Sequence, residues 1–140
     1  MITSIDHVAI AVPQGQLDNM IETYKKMGFS VHHEENVYGT DQVREVMMRV
    51  GESDSYLQLL EPLTPDSPVA KQVEKNNGRA AIAHIAFRTA DILATFGEMK
   101  DGGIQIIDTE PRRGGSGATV FFTHPKSTSV LLEVVEPGGH

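Results

Sequence analysis

The chain repeats itself once. Ile5-Asp6-His7-Val8-Ala9-Ile10 matches Ile82-Ala83-His84-Ile85-Ala86-Phe87, with the two histidines 77 residues apart. Gly28-Phe29-Ser30-Val31 matches Gly103-Ile104-Gln105-Ile106, and Tyr56-Leu57-Gln58-Leu59-Leu60-Glu61-Pro62 matches Leu131-Leu132-Glu133-Val134-Val135-Glu136-Pro137, both at a spacing of 75. Three ordered matches at nearly one offset restrict the chain to two copies of one supersecondary unit, because a repeated pattern repeats its fold.

Each half has the same grammar. A His-bearing strand opens it, from Ile5 to about Val12 and from Ala81 to about Arg88. A helix follows, with Leu17, Met20, Ile21 and Tyr24 at i, i+3, i+4 and i+7, and a weaker stripe of Ile92, Thr95, Phe96 and Met99. Asp91 is positioned as an N-cap, and Gly102-Gly103 as a stop. Three strands then complete each half: about Phe29–Glu35, Val43–Val50 and Ser55–Glu61, then Ile104–Thr109, Ala118–Thr123 and Val130–Val135. Gly51-Glu52-Ser53-Asp54 and His124-Pro125-Lys126-Ser127 read as turns. Between the halves, Ser67-Pro68 has the form of an N-cap followed by proline at the first helical position, with Asn77-Gly78 as its end. The expected class is therefore α+β: two βαβββ modules forming a curved eight-stranded mixed sheet around one metal site. Module 1 spans about 1–63, a linker helix about 64–78 and module 2 about 79–140, all in a single domain.

Composition narrows the function. A hydrophobic content of 39% and a charged content of 22% are ordinary for a globular chain. No apolar run approaches the roughly 20 residues of a membrane span, so no membrane partner is expected. The first residues lack a secretory pattern, and the chain has no cysteine, which removes disulfides and thiolate chemistry; a cytoplasmic location is the expectation. A net charge of -7 argues against nucleic acid as a partner, while a few local Arg and Lys residues still suffice for an anionic ligand.

The repeat makes His7 the twin of His84, and Gln58 the twin of Glu133. Two equivalent positions in each of two equivalent units, paired about a pseudo-twofold axis, converge on one point. His nitrogens with Gln and Glu oxygens suit a borderline-to-hard divalent ion such as Co, Mn, Ni or Zn. The bland alternative makes the histidines core residues and Gln58 and Glu133 outward-facing. Alternation opposes it, since Gln58 shares a face with Tyr56 and Leu60, and Glu133 with Leu131 and Val135; a carboxylate there needs a partner or a metal. His32, His33, His124 and His140 have no twin in a ligand position and read as structural or exposed.

The ordered set Val43-Arg44-Glu45-Val46-Met47-Met48, Tyr56–Pro62, Ala83-His84-Ile85-Ala86-Phe87, Glu110-Pro111-Arg112-Arg113-Gly114 and His124-Pro125-Lys126 resembles the methylmalonyl-CoA epimerase family of the vicinal oxygen chelate superfamily, over essentially the whole chain. The resemblance implies metal ligation by His7, Gln58, His84 and Glu133, with cobalt the first choice among the metals. It places Glu45 as the acid/base carboxylate. It implies a CoA thioester as the partner molecule, epimerised between (2R) and (2S) forms through a metal-stabilised enolate, and a homodimer. Family usage differs at Asp41-Gln42-Val43, where Gln-Gly is usual, at Ala83, and at the end of Gly114-Gly115-Ser116-Gly117-Ala118-Thr119.

Alternation puts Glu45 on one face with Val43 and Met47, where partial desolvation favours a general base; the alternative is a surface carboxylate paired with Arg44 or Arg49. A second acid/base group is needed for the opposite face of the substrate, and Glu133, a water or Glu45 itself all qualify. Arg112 and Arg113, with Gly114 and Ser116 of the following glycine-rich loop, are candidate substrate contacts through guanidinium and backbone N–H groups, and Lys126 is another. Their alternative is a solvated hairpin tip. Glyoxalase I is a competing reading, although Glu is commoner there at the position of Gln58. A ring-cleaving dioxygenase is opposed by the fourth ligand, and a non-catalytic antibiotic-sequestering binder by retention of the ligand set.

Overall fold

The computed structural model describes residues 1–138. His140, read above as structural or exposed, lies outside the described residues. The elements follow in the order β1 (Ile2–Ala11), α1 (Leu17–Lys25), β2 (Ser30–Val37), β3 (Val43–Arg49), β4 (Tyr56–Pro62), α2 (Pro68–Lys75), β5 (Ala81–Thr89), α3 (Ile92–Asp101), β6 (Arg112–Arg113), β7 (Thr119–Phe122), α4 (Pro125–Thr128) and β8 (Leu132–Glu136). A single 3-10 turn, Gly115–Gly117, separates β6 from β7. No helix among the described residues is long and apolar enough to cross a membrane.

The chain divides into two compact units, residues 7–83 and residues 1–6 with the chain from His84 onward, so that β1 contributes to both. In the first unit the strand order is β2-β3-β4-β1. Strand β4 runs parallel to β1 and antiparallel to β3, and β2 is antiparallel to β3. In the second the order is β1-β5-β8-β7-β6, with β5 and β8 parallel and β8, β7 and β6 successively antiparallel. The α+β class and the eight-stranded mixed sheet expected from the repeat are what forms.

The stripe on α1 does what its spacing requires. Leu17 and Ile21 are buried against Val12, Val46, Met48 and Leu59, with Met20 and Tyr24 packed beside them. Its first backbone N–H groups find an acceptor outside the helix: Glu61 Oε2 accepts from Gly15 N at 2.9 Å and Leu17 N at 3.0 Å. A carboxylate there also faces the positive end of the helix dipole. On α3, Ile92 and Met99 pack with Phe121 and Val134, and the buried Thr95 hydroxyl is satisfied by Thr89 at 2.7 Å. Glu136, the repeat twin of Glu61, accepts from Ile92 N at 3.1 Å, while the Asp91 side chain accepts from Ala94 N at 3.1 Å as its sequence position predicts. The Ser67 cap of α2 accepts from Val69 N at 3.2 Å. Asn77 and Gly78, both at positive φ, terminate that helix.

Two local expectations need correction. No strand covers Ile104–Thr109: Ile106 makes an isolated bridge to Thr123, and the regular pairing is the two-residue β6 further on. The cause is Asp108, whose Oδ2 accepts the Phe122 N–H at 2.7 Å and so takes the place of a ladder carbonyl. Pro111 then follows, with no N–H to offer. The stretch at His124 is not a simple turn but opens the one-turn helix α4, with His124 Nδ1 accepting from Lys126 N at 3.1 Å.

Candidate active site

In the first unit, β1, β3 and β4 each contribute one buried polar side chain: His7 (4% exposed), Glu45 (6%) and Gln58 (8%). Register explains their grouping. Met47 lies opposite Gln58 and Glu45 opposite Leu60, so Glu45 and Gln58 are diagonal neighbours on one sheet face, within reach of long side chains. Ala9, two residues after His7, lies opposite Gln58 on the other side. Gln58 Nε2 donates to Glu45 Oε1 at 2.8 Å.

The reading of Glu45 as a surface residue paired with Arg44 fails. Alternation turns Arg44 to the opposite face, where it meets Glu34 Oε1 at 2.6 Å and Asp18 Oδ1 at 3.1 Å. Hydrogen bonding to Glu34 raises the Arg44 guanidinium above its ordinary pKa. Arg49 donates to the Ser53 carbonyl at 3.1 Å.

The second unit repeats the arrangement. Ala86, two residues after His84, lies opposite Glu133 in the parallel β5–β8 pair, just as Ala9 lies opposite Gln58. The repeat in sequence is thus a repeat in register, and each half presents a histidine nitrogen and one side-chain oxygen from adjacent strands. His84 and Glu133 are both 8% exposed, with His84 Nε2 and Glu133 Oε1 3.9 Å apart. Phe122, paired with Glu133 across β7–β8, stands edge-on to the His84 ring at 5.3 Å.

Whether these donors fit a divalent ion is tested by Gln58. Among the described residues, its Oε1 is the buried side-chain oxygen or nitrogen that finds no hydrogen-bond partner. Burying an unsatisfied carbonyl costs about 1–3 kcal/mol. A cation removes that cost, whereas an apolar neighbour does not. The donor set of imidazole, amide and carboxylate is likewise one that borderline divalent ions accept.

The anion-binding candidates occupy one hairpin and its exit. Arg112 and Arg113 form β6, Gly114 and Ser116 the turn after it, and Lys126 lies in α4. Gly114 is required by close approach, since a Cβ there would lie 2.9 Å from Val120 Cγ1. Ser116 sits at φ 57, a left-handed conformation inside the turn. Arg113, Ser116 and Lys126 are exposed, whereas Arg112 is half-buried. Arg112 Nε donates to Asp108 Oδ1 at 3.0 Å and its guanidinium lies 5.4 Å from the Phe122 ring centre. The sequence pattern does not single out Asp108 or Phe122. The one available signal was the i, i+4 spacing of Asp108 and Arg112, which is weak outside a helix. Three of the untwinned histidines serve locally: His32 stacks on Tyr56, His33 pairs with Glu35 at 3.0 Å, and His124 caps α4.

Residues 6–122 match the family model described as Glyoxalase/Bleomycin resistance protein/Dioxygenase superfamily. The ethylmalonyl-CoA/methylmalonyl-CoA epimerase of Cereibacter sphaeroides is 32% identical over 140 residues, covering 97% of this chain and 98% of that protein. The crystal structure of methylmalonyl-CoA epimerase from Mycobacterium tuberculosis superposes with a TM-score of 0.90 at 34% identity, covering 98% of this chain and 89% of that one. A methylmalonyl-CoA epimerase in complex with methylmalonyl-CoA and NH4+ superposes with a TM-score of 0.88 at 41% identity, covering 99% and 97%. The chain belongs to the Glyoxalase/Bleomycin resistance protein/Dioxygenase superfamily and, within it, to the methylmalonyl-CoA epimerase family of enzymes.

Proposed function

We propose that this chain interconverts (2R)- and (2S)-methylmalonyl-CoA by removing and returning the α-proton. The observation that carries the reading is the buried Glu45–Gln58 pair, a carboxylate held by an amide whose own oxygen is left for a cation. Such a pair combines a base with a ligand atom. Kinship with enzymes named for this reaction supports the substrate.

His7, Gln58, His84 and Glu133 are the proposed ligands of one divalent ion, cobalt before manganese, nickel or zinc. His7, His84 and Glu133 are buried and offer one ligand atom each. When bound, the ion supplies Lewis-acid stabilisation of negative charge developing on the thioester oxygen. Glu45 takes the α-proton on one face of the substrate, its burial keeping bulk water from competing. Glu133 is the proposed second acid/base residue, returning a proton on the other face. Arg112, Arg113, Gly114, Ser116 and Lys126 are proposed to hold the CoA portion, with guanidinium and ammonium groups meeting phosphate oxygens. The modules at about 1–63 and 79–140, joined by the linker helix, act as one vicinal oxygen chelate domain. A homodimer and a cytoplasmic location complete the proposal.

The test is conversion of (2S)- to (2R)-methylmalonyl-CoA by purified protein, before and after chelation. Conversion that is lost on chelation and restored by a divalent ion supports the reading. Failure to convert either epimer, with turnover of the glutathione hemithioacetal instead, overturns it in favour of a glyoxalase.

A further inference from the structure

We propose that Gln58 is a positioning residue for Glu45, and that an amide rather than a carboxylate is required at position 58 for that reason. The inference deepens the reading of Glu45 as the proton-transferring group and rests on it. A glutamate side chain on a strand has three rotatable torsions and samples several rotamers unless something fixes its end. Here Gln58 does so: its Nε2 lies 2.8 Å from Glu45 Oε1, with both side chains buried.

Ionised carboxylates only accept hydrogen bonds, so the amide nitrogen must face Glu45 and the amide oxygen must face away. The orientation of Gln58 is therefore fixed by chemistry, and it is the oxygen facing away that has no hydrogen-bond partner among the described residues. One side chain thus serves two neighbours with opposite needs: a donor to the base, and an acceptor atom for a cation. A glutamate at position 58, ionised as a metal ligand is, keeps the oxygen but offers Glu45 no donor, and it brings a second carboxylate to hydrogen-bonding distance of the first in a buried place. Glu45 then turns away from Gln58, and from the direction in which the bond aims it.

The decisive comparison uses Gln58→Glu with Glu45→Ala. In the metal-free protein, the side-chain NH2 signals of Gln58 are followed by 15N-edited NMR. A bond to Glu45 shifts one of the two protons downfield and slows its exchange, and Glu45→Ala removes both signatures. With metal, Gln58→Glu keeps one equivalent of bound ion while kcat falls about 100-fold and KM stays within about threefold, the size expected when a reacting group is misplaced by about an ångström. A Gln58→Glu enzyme with undiminished kcat overturns the proposal, as does a Gln58 amide whose shifts and exchange ignore Glu45→Ala. The NMR arm needs neither substrate nor ion. It therefore decides the Gln58–Glu45 link even for a protein that fails to epimerise methylmalonyl-CoA, so the two failures are distinguishable.

Discussion

His84 Nε2 and Glu133 Oε1 lie 3.9 Å apart on neighbouring parallel strands, beyond hydrogen-bond length and buried together. Their backbones are offset by the same two residues that separate His7 from the partner of Gln58. If this recurrence builds one ligand set, His84→Ala releases the ion. The expected outcome is a loss of affinity greater than the roughly 100-fold that removal of a ligand's supporting partner costs. Metal analysis of purified protein, with circular dichroism to confirm the fold, checks it.

Arg88 and Asp6 make a partly buried ion pair within the second unit, with Nη2–Oδ1 at 2.8 Å and Nε–Oδ1 at 2.9 Å. The Asp6 side chain is 10% exposed and that of Arg88 27%, so the pair is partly screened. Arg88→Ala deprives a buried carboxylate of this partner and is expected to cost about 2 kcal/mol, below the range for fully buried pairs. Urea unfolding monitored by far-ultraviolet dichroism measures the difference.

The twin glutamates Glu61 and Glu136 give a graded prediction. Glu61 serves two N–H groups at the start of α1, where Gln16 gives no side-chain cap, and Glu136 serves one at the start of α3, where Asp91 already caps. Glu61→Ala is expected to cost about 1–2 kcal/mol, and Glu136→Ala about 1 kcal/mol or less. The order of the two unfolding midpoints is the check.

Much of the fold is legible in the sequence. The repeat at an offset near 75 sets the topology, because strand and helix periods survive duplication while surface residues drift. It singles out His7, Gln58, His84 and Glu133, four residues that are ordinary when taken one at a time. Glu45 is different: the residue 75 positions on is Val120, so only alternation and family likeness single it out. What escaped were contacts made by side chains across the fold. The replacement of a ladder bond by Asp108 shortened a strand that periodicity extends through Ile104–Thr109, and no local propensity encodes that substitution. The stacking of Arg112 on Phe122 depends on β6–β7 pairing, which the two-residue length of β6 hides from any window of hydrophobic pattern.

Arg112 donates to Asp108 and lies over the Phe122 ring, with its side chain about half-exposed. Arg112→Ala is expected to raise KM for methylmalonyl-CoA about tenfold or more while kcat changes little, the signature of binding that is uniform between ground and transition states. Steady-state kinetics with the full CoA ester, and with a truncated pantetheine ester as control, checks the assignment. The truncated ester should be indifferent to the substitution.

Glu45 is the proposed group that moves the α-proton. The most direct measurement is proton NMR of methylmalonyl-CoA incubated in deuterated water with metal-loaded wild-type protein and with Glu45→Gln. Wild type is expected to wash deuterium into the α-position. The variant, with its ion retained, is expected to do so at least about 100-fold more slowly, as loss of a general base requires. Exchange by Glu45→Gln at the wild-type rate, or no exchange by the wild type, contradicts it.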